Sequence, residues 1–516
     1  MPEYKTPGVY INEVAAFPNS AVVVETAVPA FIGYTFKAER NGNSLIGLPT
    51  RINSFAEYVE SFGGAFSPKF KIEEDKVHPP GASSIKIGAA TINVSFEAHN
   101  ELYFYNSIRL FYANGGSSCI ILAVDTYGDK QNGLEVKASD FTKAGGPLEI
   151  LKKTQEPTLI VIPDVVKLNE EAYAVYPQVL VHCSSMQDRF AIFDLQKHDE
   201  TLNPEEVAAD FRSRIGDHFL NYGAAYYPWL NTNVVDDDEL TFENLPDTLS
   251  DYLEDGEPKK ICQDYAVEFA GLKYLIKQRE SQVKQSDYAF PDQLISLKKN
   301  HHLALKSASS NYKAILQHAR FLANQLPPSA AIAGMYTMVD STRGVWKAPA
   351  NCSLNEVVSP IVNISNEAQV FFNVDPETGK SINVIRPFEG LGTLVWGART
   401  LDGNSDDWKY INVRRTLIMI EQSIKAATRA YVFEPNDANT WITVKSMIDN
   451  FLFNLWKQGA LAGAVPEQAY DVQIGLGSTM TANDILDGKM LVCVKVAIVR
   501  PAEFIVITFQ QQLQQS

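Results

Sequence analysis

Cysteine is scarce in this chain, and its five residues, Cys119, Cys183, Cys262, Cys352 and Cys493, stand far apart. No CxxC pair occurs among them, and an odd, dispersed set excludes a disulfide framework or a cysteine zinc site. They are expected to be buried, inert thiols. Long apolar runs are missing too. Nothing reaches the roughly 18 apolar residues of a membrane-spanning helix, and Met1-Pro-Glu-Tyr-Lys-Thr-Pro-Gly8 has no apolar signal region, so synthesis and folding in the cytoplasm are expected. Positive charge is in deficit. With 45 Lys and Arg against 61 Asp and Glu the net charge is −16, which argues against a general binder of nucleic acid or anionic membranes.

Catalytic signatures are absent as well. No GxSxG, HExxH or Cys/His ligand spacing appears, so no catalytic, metal or cofactor-binding set is assigned. Gly379-Lys380-Ser381 resembles the end of a phosphate loop, but Val374 stands where its first glycine is required. Gly475-Leu-Gly477 lacks the third glycine of a dinucleotide loop. His301-His302 is expected on the surface of a polar helix, and Asp236-Asp237-Asp238 in a solvated acidic loop.

What is present is an ordinary folded composition. Of 516 residues 45% are apolar and 11% aromatic, which is ample core material for about three domains. Ser20 to Thr26 reads as a strand, and Ala27-Val-Pro-Ala-Phe-Ile-Gly33 continues it as a buried run. Residues 40–130 are breaker-rich and β-leaning, closing on the apolar Cys119–Val124. From 158 to 230 short apolar runs alternate with helical periods, which indicates a parallel α/β sheet. An acidic stretch from Asp236 to Glu257 opens an elaboration with two polar helices, 262–286 and 292–325. Val370–Val374 and Ser381–Ile385 flank a turn as a hairpin, and Thr393–Gly397 is a buried strand. Later, Val413, Leu417, Ile420, Ile424, Ala427 and Tyr431 recur at alternating steps of four and three, the seam of one helix. Arg414, Lys425 and Arg429 fall on another face of it. Trp441 to Gln458 forms a second helix, Thr481 with Asp484 caps a short third one, and strands follow at Leu491–Val499 and Glu503–Gln510.

Tyr410-Ile-Asn-Val-Arg-Arg-Thr-Leu-Ile-Met-Ile-Glu-Gln-Ser-Ile-Lys-Ala-Ala-Thr-Arg429, then Val432-Phe-Glu-Pro-Asn436, Trp441 and Arg500-Pro-Ala-Glu-Phe-Ile505, resemble the tail sheath proteins of contractile phages and related injection systems. Thr6-Pro-Gly-Val-Tyr-Ile-Asn-Glu13 and Ala27–Gly33 resemble the start of that family. The resemblance implies an α/β fold, α+β taken as a whole: an N-terminal arm and first core strand over 1–35, a variable outer β-rich insertion over 36–150, a subtilisin-like sheath domain over 151–400 with a helical elaboration at 236–325, and a C-terminal sheath domain over 401–516. It implies a structural, non-enzymatic subunit that stacks as hexameric rings around an inner tube and fires by contraction. Baseplate and terminal cap proteins, and optionally a second sheath paralogue, are its implied partners, with no nucleic acid and no direct membrane insertion. Val9, Tyr10, Ile11 and Asn12, with Phe504, Ile505, Val506 and Ile507, are the expected inter-subunit arm strands. Arg414, Lys425, Arg429 and Lys489 are candidates for inner-tube contact. An extracellular injection particle, a true phage tail, a membrane-anchored system, another structural phage component such as a baseplate or tube protein and, in another class, a subtilisin-like serine hydrolase stay open at this point.

Overall fold

The structure is a computed structural model that describes residues 21–74, 84–87, 90–128, 133–197, 203–280 and 290–506. It divides into two compact units that ignore sequence order. One comprises Met1–Thr26, Val339–Ala348 and Tyr410–Ser516, and the other Ala27–Met338 and Pro349–Lys409. The contiguous boundaries expected at 35, 150 and 400 do not describe this arrangement.

The larger unit is built on a nine-stranded sheet. Its strands in chain order are β1 (Pro29–Thr35), β2 (Thr50–Ile52), β3 (Cys119–Thr126), β4 (Leu159–Val161), β5 (Phe190–Asp194), β6 (Gly223–Tyr227), β7 (Cys352–Ser353), β8 (Asn383–Phe388) and β9 (Gly392–Trp396), and their spatial order is β7-β9-β8-β6-β5-β4-β1-β3-β2. The six inner strands from β3 to β8 run parallel, and antiparallel strands finish both edges. Every residue of β1 is buried, as a strand covered on both faces requires, and Ala30 lies between Ile120 and Ile160. Gly33 lets the helix Phe104–Ala113 approach this strand, because a β-carbon there would lie 2.2 Å from Phe104 Cδ2. The expected parallel α/β sheet is therefore present. Since β2 and β3 belong to it, however, residues 36–150 are not one outer insertion.

What does stand outside the sheet is assembled from two distant segments. An antiparallel trio, Phe70–Glu74, Ser84–Ile87 and Ala90–Phe96, packs with residues 235–323 around Phe70, Ile92, Leu305, Tyr312, Ile315 and Ala319. The elaboration holds three helices, Glu257–Glu280, Phe290–Ala308 and Ser310–Ala323, where two were expected. The break falls at Ser309, whose Oγ accepts the Tyr312 N–H at 3.0 Å. The Glu254 carboxylate accepts the N–H groups of Ser310 and Asn311, each at 3.0 Å. An end capped twice in this way starts a new helix.

Three further expectations in the larger unit are corrected. His301 and His302 are buried, His301 lying 4.0 Å from the Tyr265 ring in a stack and His302 Nδ1 2.8 Å from the Tyr312 hydroxyl. Asp236, Asp237 and Asp238 do lie in an exposed loop, as expected, and Asp236 and Asp237 also pair there with Arg109 and Arg320. Residues Asn366–Asn373 form a helix capped by Ser365, and the hairpin is β8–β9. The apolar Val370–Val374 belongs to the end of this helix and its C-cap, not to a strand of a hairpin. Of the cysteines, Cys119 and Cys183 are buried and burial lifts each thiol to about 12, but Cys262 and Cys352 are half-buried and Cys493 is exposed.

The smaller unit packs the helices Ile411–Thr428 and Ala438–Lys457 against a hairpin of Tyr470–Ile474 with Val492–Val496. Met419, Val444, Ile448, Leu452, Leu455 and Val472 are central to its core. Asp437 caps the second helix, and Thr481 with Asp484 forms the expected capping box on Ala482–Leu486. Residues 21–26 do not form the expected strand.

Candidate assembly surfaces

A structural subunit has its functional site on its surface, so the relevant geometry is what the smaller unit holds in and what it leaves out. The helix Ile411–Thr428 changes character along its length. From Ile411 to Ile420 every residue except Leu417 is buried, so the single apolar seam expected there is really a helix covered on most sides. Arg414 is consequently buried and drops out of the basic stripe. Lys425 and Arg429, on the last turns, are exposed. Lys489 is exposed and ion-paired with Asp487 at 3.0 Å.

Arg415, the residue after Arg414, is held on several sides. Its guanidinium meets the Asp340 carboxylate as a fork, Nη1 to Oδ1 at 3.0 Å and Nη2 to Oδ2 at 2.6 Å. The two side chains are only 4% and 6% exposed. The Thr26 hydroxyl donates to Asp340 Oδ2 at 2.5 Å, and the Thr26 carbonyl accepts from Arg415 Nη2 at 3.0 Å. Val24 N–H donates to the buried Ser423 Oγ at 3.1 Å, two turns further along the same helix. Spacing in the sequence carries no sign that 26, 340 and 415 meet.

After a short 3-10 turn at Arg429–Tyr431, residues 432–437 form a largely exposed loop. Asn436 pins it, donating to the Lys489 carbonyl at 3.0 Å and accepting from Trp441 Nε1 at 2.7 Å. Phe433 projects from it fully exposed, with φ of 73°. A bulky residue in the left-handed region costs energy and is uncommon outside functional positions. Among the expected arm residues, Phe504, Ile505 and Val506 are all exposed and unpaired in any strand. That corrects the strand expected over 503–510 for its described part, 503–506. Val9, Tyr10, Ile11, Asn12 and Ile507 lie outside the described residues.

The arrangement gives no support to hydrolysis. In the larger unit Asp194, at the end of β5, accepts the Ser329 N–H at 2.7 Å, but Ser329 has no exposed surface for a substrate to reach. Among the described residues no group of three or more His, Cys, Asp or Glu is placed to hold a metal ion, and no helix is long and apolar enough to cross a membrane.

Residues 404–512 match the phage tail sheath C-terminal domain. Sequence and fold together relate the chain to the sheath proteins of contractile tails. Over 191 residues it is 23% identical to the tail sheath protein of Vibrio phage KVP40, a match covering 36% of this chain and 26% of the length of that protein. Two cryo-EM structures match along the full length. The sheath complex of the extracellular contractile injection system PVC, in its contracted state, is 28% identical with a TM-score of 0.59, covering 99% of each chain. The helical sheath of the anti-feeding prophage, also contracted, is 29% identical with a TM-score of 0.57, covering 99% of this chain and 100% of that one.

Proposed function

We propose that this chain is the sheath subunit of an extracellular contractile injection particle. Copies stack as six-fold rings around an inner tube, and contraction of the resulting cylinder drives the tube through a target envelope. The observation that carries this reading is the match to injection-system sheaths at 28–29% identity over 99% of the chain. A true phage tail is the second reading. It is favoured less because the phage relative is 23% identical and matches 36% of the chain. Genes for a capsid beside this one would reverse that order, and genes for toxins would support it.

In this reading the protein is not an enzyme, and its work is mechanical. Residues 8–14 and 503–510 are arm strands that add to the sheet of a neighbouring subunit, where backbone hydrogen bonds survive large rigid-body motion. The exposed Phe504, Ile505 and Val506 suit that role, because such a strand in solution is an aggregation hazard unless a partner covers it. The larger unit, with a subtilisin-like topology in this reading, is carried between the arms. Energy is stored when the extended cylinder is built and released by a bistable repacking of subunits. Lys425, Arg429 and Lys489 grip the inner tube through contacts that water and salt weaken once surfaces part. Baseplate and terminal cap proteins hold the two ends, and the particle is assembled in the bacterial cytoplasm before release.

Negative-stain microscopy of the purified protein tests the reading. Long hollow cylinders with a cogwheel cross-section are expected; a protein that stays monomeric or forms only solid fibres at high concentration refutes it. Deleting residues 1–14 is expected to leave a folded monomer that forms no cylinders.

A further inference from the structure

We propose that Thr26, Asp340, Arg415 and Ser423 form the root of the N-terminal arm, the place where pull on that arm enters the body of the smaller unit. The arm's load-bearing role rests on the sheath reading above; the root itself rests on geometry. Residues 21–26 have no strand ladder to hold them. Val22 and Val23 are exposed between residues that are held. Ala21 and Val24 pack against the core, Val24 N–H bonds Ser423, and Thr26 bonds both members of the Asp340–Arg415 pair. Both ends of this short segment are thus tied to one helix, Ile411–Thr428, whose first turns are the best-buried part of the unit.

The chemistry suits an anchor. A forked carboxylate–guanidinium pair fixes orientation as well as distance. Because the pair is buried, separating it leaves two uncompensated charges away from water, so it resists slipping to a partly bonded state. Thr26 joins that pair through two different atoms, its hydroxyl and its carbonyl. Moving Thr26 outward therefore breaks two bonds at once and strips one acceptor and one donor from the buried charges. A surface contact of equal length would yield one bond at a time to water. Asp340 belongs to a segment otherwise separated from the C-terminal helices by some 70 residues. The root consequently draws three remote parts of the chain together at the position where the arm begins.

The test uses the full chain with Thr26→Val and Ser423→Ala, singly and combined. Neither change touches residues 8–14 or removes a buried charge. Thr26→Ser keeps the hydroxyl and serves as the conservative rescue. Ile448→Val, in the core of the same unit, is the control for a general loss of stability. Three quantities are read: the rate of proteolytic cleavage within residues 1–26, followed by intact mass; the melting temperature of the remaining body; and the lowest concentration that forms cylinders. The combined variant is expected to be cleaved about thirty-fold faster and to need about thirty-fold more protein to assemble, the factor that corresponds to two lost hydrogen bonds. Its melting temperature should fall no further than that of Ile448→Val, and Thr26→Ser should match the wild type. Unchanged cleavage in the combined variant overturns the proposal. So does an assembly threshold raised equally by Ile448→Val. If wild-type protein forms no cylinders, the sheath reading fails, and the cleavage rate alone still decides whether these residues hold the segment.

Discussion

The two units differ in what they do with charge. Residues 410–516 carry nine acidic and nine basic side chains, so the net charge of −16 belongs to the residues before them. The neutral part leaves apolar groups uncovered, Phe433, Leu486 and Phe504–Val506 among them. The neutral unit buries the Asp340 carboxylate against a guanidinium, whereas the sheet unit buries two carboxylates against backbone N–H groups: Asp164 accepts the Tyr103 N–H at 2.7 Å at the start of the helix Phe104–Ala113, and Asp194 accepts the Ser329 N–H at 2.7 Å at the start of Ser329–Arg343. A neutral, partly apolar surface associates when copies meet, while an acidic one keeps its solvent and repels its like. The contrast teaches that polymerising and staying soluble are separate demands, met here by separate stretches of one chain.

The largest effect should come from breaking the buried Asp340–Arg415 ion pair of the neutral unit. Asp340→Ala leaves Arg415 buried without its carboxylate, a change that costs about 3–5 kcal/mol in comparable cases. Hydrogen exchange should then show protection lost across 411–457 and kept in β1, β3 and β4. Equal loss in both units would mean that they unfold as one and that the contrast drawn above has no energetic meaning.

The buried carboxylates of the sheet unit give a pH test of opposite sign to ordinary acid denaturation. Burial pushes both Asp164 and Asp194 up to about 7, against a backbone N–H bond that pulls the other way. An unfolded Asp titrates near 3.9. Between those values the folded state binds protons that the unfolded state does not. Stability therefore rises as pH falls from 8 through 7, levels off below about 4, and is lost again as pH is raised. The melting temperature of this unit should be higher at pH 6 than at pH 8, and Asp164→Asn with Asp194→Asn should flatten the difference. An unchanged slope in the double variant would assign the effect to other groups.

How much of this was legible beforehand follows from whether the signal is local. β1 was readable because seven consecutive buried residues leave no polar face to mislead, and the helix Ala438–Lys457 because its cap and period lie within its own span. Arg414 was misplaced because a periodicity argument assumes one buried face, whereas Ile411–Ile420 is covered on most sides. His301 was misplaced for a related reason: its polar helix is covered by Phe242 and Tyr265 from other elements. The Asp340–Arg415 pair, and the joining of 70–96 to 235–323, depend on contacts between remote segments that no local pattern records.

Phe433 offers a smaller, sharper comparison between what the neutral unit needs as a monomer and what it keeps for association. Its backbone sits at φ of 73°, where glycine is at ease and phenylalanine is strained. Because its ring is fully exposed, Phe433→Gly removes strain without opening a cavity. Relief of about 1–2 kcal/mol, less about 0.5–1 for glycine's looser unfolded chain, leaves a net gain of roughly 1 kcal/mol or less. A melting temperature that rises slightly in the monomer is expected. A fall would show that the ring is packed, and Phe433 would then leave the list of uncovered groups.

The smallest effect on the fold should come from the exposed cations. Lys425 and Arg429 lie on the last turns of Ile411–Thr428, close to its C-terminal end, where positive charge is favoured by the helix dipole at about 0.3–1 kcal/mol. Reversing both to glutamate therefore costs the monomer little, of the order of surface substitutions generally. Contact with an inner tube is another matter, since each reversal replaces an attraction with a repulsion across the same gap. Cosedimentation of variant sheath with tube protein should fall at low salt and converge with wild type as ionic strength rises and screening shortens the reach of both signs. If the variant binds the tube equally well at low salt, Lys425 and Arg429 are solvated helix-end charges. The basic contribution of the neutral unit would then reduce to Lys489, which already spends part of its charge on Asp487 at 3.0 Å.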